Sequence, residues 1–156
     1  MHRCSRERRV SNLTEFTLRG RGLISGVVKG EAIVSKLPFG FLWGIDAESG
    51  VVVDDMSPLK GQALTGKVFV FPHGRGSTGG SGILLEAARR RVAPLAILNR
   101  NAEPIVLSGA LLADEMYHVK IPIVDRLDRN PDEVIETGDL VYVDGTEGLV
   151  VVSRSS

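Results

Sequence analysis

An α/β fold, rich in strand and carrying two main helices, is predicted by three features of the 156-residue sequence. Short β-branched apolar runs punctuated by glycine recur from end to end. Two longer stretches space their apolar residues as helices do. No internal repeat or low-complexity linker divides the chain, and 43% hydrophobic content is enough for one core.

Residues 1–15 read as a disordered basic tail carrying Arg3, Arg6, Arg8 and Arg9, followed by a single domain over 16–156. The tail lacks the apolar centre of a secretory signal. Strands are expected at 16–18 and 27–34, with Gly22, Gly26 and Gly30 marking bends or bulges. A short strand at 51–53 precedes the turn-rich Asp54, Asp55, Ser57 and Pro58. The wholly apolar run 68–71 suits a strand buried on both faces. Strands at 95–98, 121–124, 140–143 and 149–152 complete the set, with Asp144, Gly145 and Gly148 forming a tight connection between the last two. A first helix is predicted over 80–91, where Ile83, Leu84, Ala87 and Ala88 form one stripe and Arg89, Arg90 and Arg91 favour the negative helix end. A second runs over 104–116, with Pro104 at its first position, and a single turn covers 131–135.

Charge narrows the function. Lys plus Arg and Asp plus Glu each number 19, so the chain has no basic footprint for nucleic acid. No apolar run is long enough to span a membrane. The single cysteine, Cys4, makes no intrachain disulfide and points to a reducing, cytoplasmic setting. One thiol does not hold an iron–sulfur cluster, and His2, His73 and His118 have no metal-site spacing, so any metal belongs on another chain.

The most informative stretch runs from Val68 through Pro72, His73, Gly74, Arg75, Gly76, Ser77, Thr78 and Gly79 to Ser81. A buried strand gives way to a flexible loop that opens a helix, where unpaired N–H groups attract negative charge. Four readings compete. Ser77 and Thr78 can simply cap the helix. Gly74, Gly76 and Gly79 match GxGxxG, but the next strand ends in Asn99 rather than the acid that binds a ribose. Gly61 to Lys67 matches GxxxxGK, but Val68 replaces the hydroxyl residue and a strand follows. Finally, Ser77 can act as a base, its alkoxide favoured by N–H donors and by Arg75, while no His–Asp partner for a hydrolase triad is evident. The loop alone does not choose among them.

Its surroundings carry a resemblance that does. Gly20 to Gly22, residues 26–35, Phe41 to Asp46 with Gly50 and Asp54, residues 66–81, Ala93-Pro94, the stretch 99–105 with Ala102-Glu103-Pro104, Pro122 to Asp125, and Gly138 to Asp144 together resemble the small subunit of aconitase X-type dehydratases. The Phe41 to Asp46 segment is similar to that family's GGVDPxTG stretch, with Trp43 standing in place of a Gly and Ile45 in place of a Val. The resemblance spans about residues 18–152 and implies an aconitase swivelling-domain-like β/β/α fold. It implies a separate large subunit that carries the iron–sulfur cluster and most of the pocket for a small carboxylate substrate. It also implies Ser77 as proton acceptor; Arg75, Gly76, Thr78 and Gly79 are then expected to bind substrate, their N–H donors stabilising negative charge at Ser77 and at the substrate carboxylate. The Gly74-to-Ser81 run resembles the archaeal GKGSTVGS form, which favours 5-phosphomevalonate as substrate; cis-3-hydroxy-L-proline is the alternative. A rival from another class is a non-catalytic binding module in which Ser77 is dispensable. Asp46 and Glu103 are expected to serve in structural hydrogen bonds.

Overall fold

The computed structural model describes Arg8–Val10 and residues 13–155. The strands are β1 (Arg8–Val10), β2 (Leu13–Arg19), β3 (Arg21–Ile24), β4 (Val27–Val34), β5 (Val68–Val70), β6 (Ala96–Leu98), β7 (Ile123–Asp125), β8 (Leu140–Asp144) and β9 (Leu149–Ser155). The helices are α1 (Gly79–Arg89), α2 (Pro104–Tyr117) and the single turn α3 (Pro131–Val134). The strands form one sheet in the order β1-β2-β9-β8-β4-β5-β6-β7-β3. Its first half is antiparallel up to β4; β4 to β7 run parallel; β3 returns antiparallel on β7.

Alternation along the parallel strands builds two cores. Val68 and Val70, Ala96 and Leu98, and Val124 point into one cluster with residues of β2, β8 and β9. Phe69 and Phe71, Ile97 and Ile123 point into the other, which α1, α2 and the segment 39–64 cover. A period of two in each strand therefore assigns consecutive side chains to opposite layers. These are the sheet-within-sheet and helix layers of the β/β/α arrangement. The buried face of α1 is Gly80, Leu84, Ala87 and Ala88, and Arg89 and Arg90 are engaged by Glu86 rather than left to the helix end.

The curl of the sheet has one cause. Strands β2 and β3 are separated only by Gly20, yet β2 is second in the sheet and β3 is last. One residue cannot bridge a flat sheet of that width, given about 4.8 Å between strands. The sheet therefore curves until its far edge meets the β8–β9 hairpin. Gly20 N–H donates to Gly148 O at 2.8 Å, and Asp128 N–H donates to Arg19 O at 2.9 Å. Backbone meets backbone at this seam. A β-carbon on Gly20 would lie 2.9 Å from Leu127 Cα, and one on Gly145 would lie 2.9 Å from Pro122 Cβ while colliding with Ile24 O.

Asp125, at the end of β7, fastens the same seam from below. Its carboxylate accepts two hydrogen bonds from Arg21 at 2.9 Å and one from Ala102 N–H at 2.9 Å. Burial pushes this carboxyl up, but the Arg21 guanidinium and the Ala102 amide outweigh it and hold it below the ordinary carboxylate range.

Three differences from the sequence reading have physical reasons. Strand pairing begins at Arg8–Val10 and Leu13, inside the stretch expected as a tail, because β1 folds back on β2; residues 1–7 lie outside the described residues. The expected strand at 51–53 is reduced to single bridges, Ile45 with Val52 and Val51 with Ala63, because turns at Gly50 and Asp54 end the run on both sides. Strand β3 was not expected, since Gly22 reads as a bend; it carries a register shift between Gly22 and Ile24.

Two predictions follow from the seam. Gly145→Ala lowers unfolding free energy by about 1–3 kcal/mol through overpacking, whereas Gly82→Ala, in open space on α1, raises it by about 0.5–1 kcal/mol; urea titration measures both. Asp125→Asn costs about 1–2 kcal/mol near neutral pH, at the low end because Arg21 is half exposed. Because the folded carboxyl titrates below its unfolded value, the difference from wild type is full above about pH 4 and closes as pH falls further; thermal melts across that range read it.

Candidate active site

The loop 72–78 stands where β5 ends, on the side from which α1 and α2 depart. It is held at its start from both neighbours. Asn99 Nδ2 donates to Phe71 O at 2.9 Å, and Arg100 N–H donates to Pro72 O at 2.8 Å. On the other side Phe39 N–H donates to His73 O at 3.2 Å, and Arg75 N–H donates to Phe39 O at 3.1 Å. Phe39 and Phe41 lie edge to face on Phe69 or Phe71, so four of the chain's five phenylalanines anchor this contact. Close approach is required here: a β-carbon on Gly40 would collide with Arg75 O, and one on Gly74 would lie 2.7 Å from Glu103 Cδ.

Beyond Arg75 the restraint stops. Gly76 turns with φ 103°, a conformation that favours glycine. Among the described residues, the N–H groups of Gly76, Ser77, Thr78 and Gly79 have no hydrogen-bond partner; pairing resumes with Gly80 N–H to Ser77 O at 3.1 Å. Ser77 is exposed and its hydroxyl makes no hydrogen bond to another described residue. Thr78 occupies the cap position of α1 with helical backbone angles and no side-chain cap bond. Capping, the plainest reading of both hydroxyls, is therefore not what the structure does with them. Ser81 is committed elsewhere, donating to Ile105 O at 2.9 Å and tying α1 to the start of α2.

The structure thus brings Ser77, Gly76, Thr78 and Gly79 into one turn of exposed backbone. Arg75 points differently. Its guanidinium donates to Asp54 Oδ2 at 2.8 Å, at the rim of a cleft of about 290 Å³ lined by Ser35, Leu37, Asp54, Met56, Ser57 and Arg75. Sequence reasoning saw Asp54 as a turn residue and as part of the family resemblance, and nothing in a separation of 21 positions marks it as Arg75's partner. Asn99, noted for what it is not, clamps the carbonyl just before the loop, Phe71 O; its Oδ1 is buried without a partner among the described residues. Asp46 shapes its own turn through Glu48 N–H and Ser49 Oγ, both at 3.0 Å, as expected of a structural residue. Glu103 differs from expectation: its half-buried carboxylate rests over Gly74 and makes no hydrogen bond or ion pair with a described residue. Trp43 is held at φ 66° and is 82% exposed. That backbone conformation accounts for the Gly that the resembled family has there.

Among the described residues, no three His, Cys, Asp or Glu side chains are grouped to hold a metal ion. Cys4 lies outside them, and one thiolate does not match an iron–sulfur cluster's ligand set. No helix among the described residues is long and apolar enough to cross a membrane.

Comparison with known proteins agrees with this geometry. The model of the aconitase X swivel domain matches residues 17–152. The phosphomevalonate dehydratase small subunit of Methanosarcina acetivorans is 41% identical over 138 residues, covering 88% of this chain and 92% of the relative. That of Methanocaldococcus jannaschii is 47% identical over 135 residues, covering 86% and 96%. The crystal structure of Thermococcus kodakaraensis aconitase X in its holo form superposes with a TM-score of 0.79 at 40% identity, covering 87% of this chain and 97% of that one. With its nine-stranded curled sheet, its exposed serine loop and a family match over most of its length, the chain belongs to the aconitase X swivel domain family.

Proposed function

We propose that this chain is the small subunit of a heteromeric dehydratase that converts (R)-5-phosphomevalonate to trans-anhydromevalonate 5-phosphate, with Ser77 as proton acceptor. The observation that carries the reading is the uncapped Ser77 among four unpaired amides at the start of α1. The names of the relatives favour phosphomevalonate over cis-3-hydroxy-L-proline.

A serine hydroxyl is a weak base in water. N–H donors and a helix N-terminus favour its alkoxide, and they do so most strongly once water is excluded. The alkoxide takes a proton from the carbon next to the substrate carboxylate. The electron pair of that C–H bond forms the C=C bond, and the hydroxyl on the neighbouring carbon departs as hydroxide with its bonding pair; the proton held on Ser77 and this hydroxide together make up the one water lost, and Ser77 releases its proton to reset. In this chain the amides of Gly76, Thr78 and Gly79 and the Arg75 guanidinium supply the positive field for the carboxylate and for Ser77.

We assign the departing hydroxyl, with the iron–sulfur cluster, to a large partner subunit in the cytoplasm. Exposed Leu37, Trp43, Val53 and Met56, in the segments beside the loop, support a covering partner.

The test is co-expression with the large subunit and anaerobic assay on both hydroxy acids. Ser77→Ala is expected to lower kcat about 10²–10⁴-fold while the complex still forms by size exclusion. A variant with near-wild-type kcat removes Ser77 from the chemistry and leaves the non-catalytic binding module.

A further inference from the structure

Asp54 lies outside the serine loop, and no comparison assigns it a role. We propose that Asp54 is a positioning residue that holds the Arg75 guanidinium ready for the substrate carboxylate; the inference rests on the role given to Arg75 above. Both of its carboxylate oxygens are committed: Oδ2 accepts from Arg75 Nη2 at 2.8 Å and Oδ1 accepts from Met56 N–H at 2.9 Å. Its backbone is fixed as well, with Ser57 N–H donating to Asp54 O at 3.1 Å and the preceding Val53 N–H donating to Gly44 O at 2.8 Å. The carboxylate is therefore a rigid post, 17% exposed, and the arginine it holds is 53% exposed.

The division of labour within Arg75 points to a ligand. Its backbone is pinned to Phe39, and one terminal nitrogen is used on Asp54. Nε and Nη1 make no hydrogen bond to a described residue. A guanidinium presents five N–H donors in a planar fork; Nη2 keeps a second N–H beside its bond to Asp54, so the edge it shares with a free neighbouring nitrogen can take a carboxylate in the bidentate manner. A free arginine side chain spreads over many rotamers, and ordering it costs binding energy. Asp54 meets that cost before substrate arrives, which is preorganisation. The same pair stands at the rim of the cleft lined by Leu37 and Met56, on the loop that carries Ser77 two residues on.

A pair that merely fastened the segment 53–57 to the loop would behave differently, and a double-mutant cycle on the assembled two-subunit enzyme separates the cases. Asp54→Asn removes the charge and keeps an acceptor for Met56 N–H; Asp54→Ser, which also keeps an acceptor, serves if the first variant fails to assemble. Asp54→Asn is expected to raise KM about tenfold with kcat within about twofold. Arg75→Ala is expected to raise KM about 100-fold, and the double variant no further, because Asp54 acts only through Arg75. An unchanged KM in Asp54→Asn, or a further loss from it in the Arg75→Ala background, overturns the proposal. Wild-type turnover of cis-3-hydroxy-L-proline alone would sink the phosphomevalonate reading, and the cycle is then read on that substrate. A wild-type complex inactive on both overturns the dehydratase reading and this inference together.

Discussion

A single residue between two strands at opposite ends of a sheet is the constraint on which the rest of this structure depends. Gly20 forces the edge strand β3 back onto the β8–β9 hairpin, and only glycines can line the seam where main chains touch. Closure has two consequences. It encloses an apolar cluster rich in valine, to which the α3 turn adds Val134 and Ile135 while α1 and α2 lie on the other core. It also places Arg21 over the end of β7, where it meets Asp125. Asp125 in turn holds Ala102, the residue before Glu103, and Glu103 rests on Gly74 in the serine loop. A continuous path of contacts thus joins the closing glycine to the turn that presents Ser77.

The chain's zero net charge has a structural meaning in this light. Three buried carboxylates, Asp125, Asp132 and Asp139, are each gripped by two nitrogens of one arginine, Arg21, Arg100 and Arg154 respectively. Removing one partner from such a pair leaves an uncompensated buried charge, so each pair specifies where its strand or helix sits more than it adds stability. Cations spent this way are not available to an anionic ligand. What the structure offers beside Ser77 is instead a run of unpaired peptide N–H groups, while Arg75 is engaged with Asp54. Backbone amides suit that task because they cannot be neutralised by a proton and need no rotamer fixed.

Much of this was legible in the residues. The run 68–71 reads as a doubly buried strand because every position is apolar, and Val68 to Phe71 are all fully buried. Pro104 marks the first residue of α2, and the Asp144 to Gly148 turn is written in its own composition. The serine loop stood out because its glycines follow a strand and precede a helix. What the sequence did not show is long-range. Strand β3 is stabilised by β7, about 100 positions away, and its glycine answers to a hairpin it cannot see locally. Asp54 and Arg75 share no periodicity. Glu103 looked like a hydrogen-bonding residue because buried carboxylates usually are, and only the fold reveals it resting over Gly74 with no partner among the described residues.

The same geometry argues that half a site is all this chain offers. A serine oxygen exposed to water is surrounded by competing donors, and its alkoxide gains little from four amides that water already solvates. The amides become effective only when a second surface displaces that water and lowers the local dielectric. The described segments beside the loop are tied elsewhere: Phe39 and Arg75 are hydrogen-bonded to each other, and α1 is braced against α2 through Ser81. The loop is tied at both ends, up to Arg75 and again from Gly80, and open between them. Under the proposed function, an open turn of unpaired amides flanked by exposed Leu37, Trp43 and Met56 meets another protein's surface, and it is that surface which turns an ordinary serine into a base.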